Sequence, residues 1–392
     1  MSARRVAVTG IGVVAPCGIG AEAFWEGLLG PAPAGSERPI PDFDPSPWFE
    51  SRKEARRTDR FAQFAFAAAA MALEEAGDLK VDPTRAGVII GTGVGGIATL
   101  EEQIVVNHEK GPDRVSPFLV PMMMGNAASA GVSMRYGFQG PCETTVTACA
   151  AGTHSIGNAA RLVRDGRCDV MVAGGSEAGL TPTALAGFRN MTALSTSGRS
   201  RPFDRRRDGF VMAEAAGVLV LEELEHARAR GATILGEIMG SANTADAHHI
   251  TAPSPGGAGA VACMELALAD AGVAAADIVH VNAHGTSTPR NDQAEAEALS
   301  KLFGTPGPLV TSTKGVTGHA LGGAGAIEAA AVLLSMRHRT IPPTAGFEER
   351  DPEMPEIAIV TEPTSWEPGP SLSNSFGFGG HNGTLVIGPA PA

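Results

Sequence analysis

The sequence is short of charge, and above all of positive charge. Asp, Glu, Lys and Arg make up 18% of the 392 residues, and the formal net charge is −12. A protein that neutralises a phosphate backbone carries a basic balance or stripe, so nucleic acid is excluded as a partner. Only five lysines stand against 25 arginines, a bias read as background. Uninterrupted apolar runs of about 18 residues are also missing, which excludes a membrane-spanning helix. The opening MSARRVAVTGIGVV has too short an apolar run for a secretory signal and reads as a strand. The five cysteines, Cys17, Cys142, Cys149, Cys168 and Cys263, form no CxxC pair. That spacing argues against a zinc site, so no metal is expected, and it suits free thiols in a reducing cytoplasm.

What is present is apolar, 43% of the chain, enough for a large buried core. The 50 glycines and 28 prolines are spread along the chain and read as turns rather than disorder. Residues 31–48 hold six prolines and read as a surface loop. Short β-branched runs alternate with Ala-rich helical stretches, which predicts an α/β fold with mostly parallel central sheets. Strands are expected near 5–9, 86–91, 143–148, 168–173 and 216–221, then near 233–239, 278–283, 308–313, 357–361 and 383–387. Helices are expected near 20–29, 60–76, 150–165, 180–190, 257–272, 291–303 and 323–337. The rhythm restarts near residue 232, as if 1–232 and 233–392 were two copies of one unit. No Pro/Ser-rich linker separates them, so one compact body is expected.

Cys149 follows the strand-like TTVTA and precedes AAGTHSIG. A thiol at a strand-to-helix junction lies near free backbone N–H groups, which favour the attacking thiolate and can hold an oxyanion. The same context also suits a small buried cysteine. The other four cysteines lack this setting and read as structural. His284 follows an apolar strand in NAHGTSTPRND, and His319 sits in a Gly-rich turn before a helix in KGVTGHALGG. Strand ends are where open α/β sheets build their sites. Either histidine alone could cap a turn, but with Cys149 they form a consistent set. Two imidazoles donating to one oxygen would stabilise an enolate, whereas a single His beside Cys would suggest hydrolysis or simple acyl transfer.

Lys314 lies five residues before His319 in an almost uncharged stretch, and Glu328 lies within an apolar helix. They are expected to form a buried pair that orients the histidines, since a buried lysine needs a partner. NSFGFGGHNGTLVIG (374–388) reads as a Gly-rich loop feeding a strand, with an N–H at Phe378 able to complete an oxyanion hole. GTGVGG (91–96) lacks the Walker lysine and the Rossmann spacing, and reads as a tight turn. Met122, Met123 and Met124 form an apolar run suited to an acyl tunnel, a subunit contact or plain core.

Taken in order, TACAAGTHSIG, RPFDRRRDGFVMAEAAGVLVLEE, NAHGTSTPRND, KGVTGHALGGAGAIE and FGFGGHNGTL resemble the β-ketoacyl-acyl-carrier-protein synthases, in particular the elongating type II fatty-acid enzymes. The resemblance runs nearly end to end. It implies a thiolase-like fold, with two similar α/β halves and central mixed sheets in an α-β-α-β-α layering. It implies a decarboxylative Claisen condensation in which an acyl chain on Cys149 is extended from malonyl carrier protein. His284 and His319 match the pair that drives decarboxylation and condensation, and Lys314 and Glu328 the supporting ion pair. Phe378 matches the gatekeeping aromatic whose amide joins that of Cys149 in the oxyanion hole. Thr286 and Thr288 match the threonines that bind the pantetheine arm, Asp246 a residue of a mobile entrance loop, and Leu100 an apolar residue at the far end of the acyl pocket and at the dimer contact. No cofactor is implied, because the substrates carry phosphopantetheine on acyl carrier protein. A homodimer is the expectation, with Arg52, Lys53, Arg56, Arg57 and Arg60 as the carrier-protein patch or simply an exposed helix face.

Two departures stand out: the region between about 30 and 52 is shorter than in the fatty-acid enzymes, and His381 stands where many relatives have Thr. The shortening keeps open a polyketide ketosynthase, alone or as a heterodimer with a chain-length partner. A thiolase is disfavoured because no cysteine follows Cys263 to act as base. A non-catalytic chain-length partner is disfavoured by the intact Cys149, His284 and His319.

Overall fold

The computed structural model describes residues 4–391. Its centre is one twelve-stranded mixed sheet. The strands used below are β1 (Val6–Ala15), β2 (Ala86–Gly91), β3 (Cys142–Glu143), β4 (Val170–Glu177) and β5 (Ala215–Glu223), then β6 (Gly236–Ala245), β7 (His280–Asn282), β8 (Leu309–Thr311), β9 (Ala358–Ile359), β10 (Ser371–Gly377) and β11 (His381–Gly388). Their spatial order is β9-β8-β7-β10-β11-β6-β1-β5-β4-β2-β3. The two central strands, β1 and β6, touch only at Ala7–Glu237 and Val8–Gly236.

The helices that shape the core are α1 (Arg60–Ala76), α2 (Ile97–Lys110), α3 (Ala151–Arg164), α4 (Ala258–Ala271), α5 (Pro289–Phe303) and α6 (Ala324–His338). α1 packs on β1 and β5 from one outer side, and α4 packs on β6 and β11 from the other. Between them α3 and α6 touch strands of both sides, which makes five layers, α-β-α-β-α. The middle layer is dry: α6 is buried from Ala324 to Met336. Helices buried all round must be small-faced to approach one another. Gly152 of α3 permits this, since a Cβ there would lie 2.9 Å from the Ala326 backbone of α6. The outer contact is equally close, because a Cβ at Gly12 would fall 1.8 Å from the Ala68 carbonyl. α1 itself begins at Asp59, whose carboxylate accepts from the Phe61 amide at 3.1 Å, a side-chain N-cap.

Four expectations need correction. The sheet is mixed rather than mostly parallel, since β1, β5, β6 and β11 at its centre pair antiparallel. The strand placed at 143–148 is only Cys142–Glu143, at the sheet edge with β2 as its one neighbour. Residues 374–388 are a hairpin rather than a loop: β10 and β11 are joined by Phe378, Gly379 and Gly380, with φ +85° and +75° at the glycines. Of 31–48, Arg38, Ile40 and Phe43 are buried, so the proline-rich segment is irregular but not wholly superficial. α2 and the helix Ala127–Tyr136 were not expected from the sequence. Among the described residues no helix is long and apolar enough to cross a membrane.

Candidate active site

Cys149, His284 and His319 come from three separate turns and meet. Their Sγ and imidazole nitrogens all lie within 4.8 Å of one another, and all three residues are buried. After β3 the chain leaves the sheet, turns through Ala148 at φ +50°, and places Cys149 in a 3-10 turn that feeds α3. The nucleophile therefore sits in a helical turn rather than at the end of a strand. Leu321, two residues after His319, and Ser287, three after His284, also have positive φ, +43° and +68°. Left-handed backbone costs a non-glycine residue about 1–2 kcal/mol, so each of the three side chains stands beside a strained residue that the surrounding packing must hold.

His319 Nε2 lies 3.0 Å from Cys149 Sγ. The turn bearing His319 is clamped from both sides: its amide donates to the Val211 carbonyl at 2.8 Å, and its carbonyl accepts from Ala213 N at 3.0 Å. His284 is edge-on to His319, with ring centroids 5.2 Å apart. Its loop is held by Glu295 of α5, which accepts the His284 and Gly285 amides, each at 2.8 Å. Lys314 is fully buried, whereas the other four lysines are exposed. Its Nζ donates to Glu328 and to the His284 carbonyl at 2.6 Å, and lies 3.4 Å from His284 Nδ1. An ammonium can only donate, so Nδ1 is the acceptor and the His284 proton sits on Nε2, facing the cavity.

Burial sets most of the electrostatics. It pushes the Cys149 thiol up to about 11, against the Lys314 charge and the Phe378 and Cys149 amides. The unloaded nucleophile is thus a thiol, not the thiolate that a helix N-terminus alone would favour. Both site histidines are held well below their usual range by burial and by Lys314, so both are neutral. Burial also raises Glu295 and Glu177 to about 7, and raises Glu328 in spite of Lys314. A Cys-His-His set can ligate a soft metal, but the ammonium beside His284 opposes a cation there.

The three residues open onto a cavity of about 360 Å³. Thr286, Thr288, Asp246 and Phe378 line it, as do Phe376 and Asn382. The two threonine hydroxyls bond each other at 2.8 Å. Asp246 accepts from Asn382 Nδ2 at 2.7 Å, and its amide donates to Gly380 O at 2.8 Å, tying its loop to the Phe378 hairpin.

Leu100 and Met122 to Met124 do not line this cavity; Leu100 lies half-buried on α2. Arg60 is not a free surface cation, because it grips buried Glu214 at 2.7 Å and the Ile40 carbonyl at 2.6 Å. Arg52, Lys53, Arg56 and Arg57 are exposed. Cys168 and Cys263 are buried, Cys17 half-buried and Cys142 exposed on β3. GTGVGG is a turn, with Gly95 at φ +70°.

Sequence reasoning passed over Glu295 and Glu177. Glu295 carried a usable signal, a carboxylate among alanines like Glu328. Glu177 carried one too, as the only charge in VMVAGGSEAGL.

Residues 30–227 match the family described as Beta-ketoacyl synthase, N-terminal domain, and residues 235–348 match Beta-ketoacyl synthase, C-terminal domain. The chain is 44% identical to the 3-oxoacyl-[acyl-carrier-protein] synthase 2 of Synechocystis, with 98% of each chain covered. Among solved structures it is similar to the ishigamide ketosynthase/chain length factor, at TM-score 0.93 and 32% identity over the whole of both chains. It is also similar to a type II PKS ketosynthase bound to its acyl-carrier protein, at TM-score 0.90 and 32% identity, again over the whole of both chains.

Proposed function

The chain belongs to the β-ketoacyl synthase family, and from that premise we propose that it elongates fatty acids by decarboxylative condensation on acyl carrier protein. The observation that carries the reading is the meeting of Cys149 Sγ with two neutral imidazoles at the floor of one cavity. An acyl thioester enters, and the Cys149 sulfur attacks its carbonyl while His319, 3.0 Å away, takes the thiol proton. The Cys149 and Phe378 amides, both directed at the thiol, hold the oxyanion. The carrier thiol leaves with a proton, and the acyl group stays on sulfur. Malonyl carrier protein follows, with its thioester oxygen accepting from His284 Nε2–H and from His319. Its carboxylate departs as carbon dioxide, and the electron pair of the broken bond forms the enolate. The enolate carbon attacks the acyl carbonyl, Cys149 sulfur leaves as the thiolate and takes up a proton from water to restore the thiol, and a 3-oxoacyl chain two carbons longer is released. Thr286 and Thr288 hold the pantetheine arm, and Lys314 with Glu328 keeps His284 neutral and oriented. The steps need neither metal nor organic cofactor.

The reading includes a second copy of the chain. Val94, Ile104, Val105, Val120, Met124 and Val146 are exposed, at 41–59%, around α2 and the sheet edge. Leu100 stands on the same helix, which suits a role at that contact better than one in the cavity. Arg52, Lys53, Arg56 and Arg57 are the proposed carrier-protein patch, and five unpaired cysteines suit the cytoplasm. The boundary near residue 232 is proposed to separate two copies of one unit, on the strength of their matching strand orders. Polyketide condensation is the second reading, prompted by the likeness to polyketide ketosynthases, but identity is higher to the fatty-acid enzyme, 44% against 32%.

Intact-mass spectrometry tests the assignment. Wild type, given straight-chain acyl carrier proteins, should gain an acyl adduct that Cys149→Ala lacks, and malonyl carrier protein should then release a product two carbons longer. Absence of an adduct with every straight chain would overturn the fatty-acid reading.

A further inference from the structure

Four carboxylates are buried around this site: Glu177, Asp292, Glu295 and Glu328. Three feel a cation. Glu328 pairs with Lys314, Lys314 also acts on Glu295, and Arg207 acts on Asp292. Glu177 differs, since among the described residues no ion pair reaches it and neutral donors fill its oxygens. Oε1 accepts from the Thr92 hydroxyl at 3.0 Å, and Oε2 from the Gly93 and Gly322 amides at 2.6 and 3.0 Å. The Val94 amide points at it as well.

These donors belong to two separate turns. Thr92, Gly93 and Val94 follow β2, while Gly322 comes three residues after His319. Gly322 is itself wedged beneath the thiol-bearing helix, since a Cβ at Gly152 or Gly175 would approach its carbonyl to 3.0 or 2.3 Å. One carboxylate at the end of β4 therefore fastens the His319 turn, the first turn of α3 and the 92–95 turn into a single packed unit. Its charge opposes loss of the thiol proton, in the same direction as burial and to a smaller extent. The other titratable groups facing that thiol are His319, His284 and Lys314; the histidines are neutral and the lysine favours ionisation.

We propose that Glu177 is a positioning residue that keeps Cys149 and His319 in register and whose charge adds to the effect of burial in keeping the unloaded nucleophile a thiol. The inference rests on the reading of Cys149 as nucleophile. A resting thiol reacts slowly with oxidants and alkylating agents, so the device would protect the empty enzyme without hindering acylation, where His319 takes the proton. Burial raises Glu177 to about 7, so the restraint is present on the alkaline side of neutrality and fades below it.

Glu177→Gln isolates the charge. The amide oxygen can accept from Gly93 and Gly322, and its NH2 can donate to the Thr92 hydroxyl, so the turns stay fastened. The measurement is the rate of iodoacetamide alkylation at Cys149 against pH, read by peptide mass, with thermal melting to confirm the fold. The Gln variant should shift the profile to lower pH by about half a unit, or about threefold in rate at pH 8. Glu177→Asp should return the profile towards that of wild type. Glu177→Ala, which loses the fastening too, should also lower condensation kcat with little change in KM. A folded Gln variant with the wild-type profile would overturn the proposal. If the Gln variant does not fold, wild type decides alone: its alkylation rate should rise less than tenfold per pH unit through pH 7, and a uniform tenfold slope would overturn the idea. Failure of Cys149 to accept any acyl group would instead remove the nucleophile assignment beneath it.

Discussion

The chain before residue 232 and the chain after it each lay five core strands in the same order, once the two-residue edge strand β9 of the second part is set aside. Counting those five outward from the central contact, the order is first, fifth, fourth, second and third in both parts: β1-β5-β4-β2-β3 and β6-β11-β10-β7-β8, with β9 at the far edge of the second. The chemistry at equivalent strand ends differs. After the second strand the first part has Thr92 in a glycine turn, and the second part has His284. After the third strand stand Cys149 in one and Lys314 with His319 in the other. At the end of the fourth lie Glu177 and the Phe376–Phe378 segment. The first part thus supplies a nucleophile and a lone negative charge. The second supplies two neutral bases and a buried cation with its own counter-charge. Burial, reinforced by the Lys314 charge, keeps both histidines uncharged, the state in which one can accept the thiol proton and the other can donate to an oxygen. The same strand order thus carries different side chains in the two parts, and in the proposed mechanism this separates acyl holding from decarboxylation.

That division can be broken from either side. His284→Ala should lower malonyl decarboxylation and condensation by about 10²–10³, the usual cost of losing one oxyanion donor, while acylation of Cys149 stays within a few-fold of wild type. Cys149→Ala should do the reverse, abolishing the adduct and retaining decarboxylation. Radiolabelled carbon dioxide release and intact mass separate the two, and parallel loss of both activities in either variant would contradict the division.

Next in size is the ion pair. Lys314→Met leaves Glu328 buried without its cation and should cost about 3–5 kcal/mol in urea unfolding. Lys314→Met combined with Glu328→Leu should recover much of that stability but not the activity. Recovery of activity would show that the pair serves packing alone.

The thiol itself offers a pH test. With its pKa near 11, roughly one molecule in a thousand is thiolate at pH 8. Alkylation of Cys149 should therefore still be climbing at pH 10, since deprotonation increases as pH rises towards the pKa. A plateau by pH 8 would mean that an ion pair with a histidine already holds the thiolate.

Relief of backbone strain gives the smallest expected effect at Ala148, and its net sign reverses at Leu321. Ala148→Gly should stabilise the protein by up to about 1 kcal/mol, because relief of the left-handed φ, about 1–2 kcal/mol, exceeds the entropic cost of glycine, about 0.5–1 kcal/mol. Leu321→Gly relieves the same strain but empties a buried apolar site, where such truncations cost about 2–5 kcal/mol, so it should destabilise. Thermal melts of the two variants check the opposite signs.

Much of the site was legible because its main side chains lie in short, distinctive segments. The carboxylates were less so. Glu177 acts on Thr92, Gly93 and Gly322, which are 85, 84 and 145 positions away, and no local pattern announces such partners. The strand errors have the same origin. TTVT at 144–147 has β-propensity, but β3 lies at an edge with one neighbour and the chain peels away after Glu143. SLSNSFG has little such propensity, yet β10 is a strand because β7 and β11 pair with it on both sides.

The sequence by itself determined the alternation of strands and helices and the identity of the thiol, the two imidazoles and the ion pair, because periodicity and residue chemistry are local properties. Only the tertiary structure decided that the thiol rests protonated, that His284 carries its proton on Nε2, that Leu100 does not line the cavity and that Arg60 is paired with buried Glu214. Those outcomes depend on desolvation and on which distant group arrives within about 3 Å, and neither is defined until the five layers close around the site.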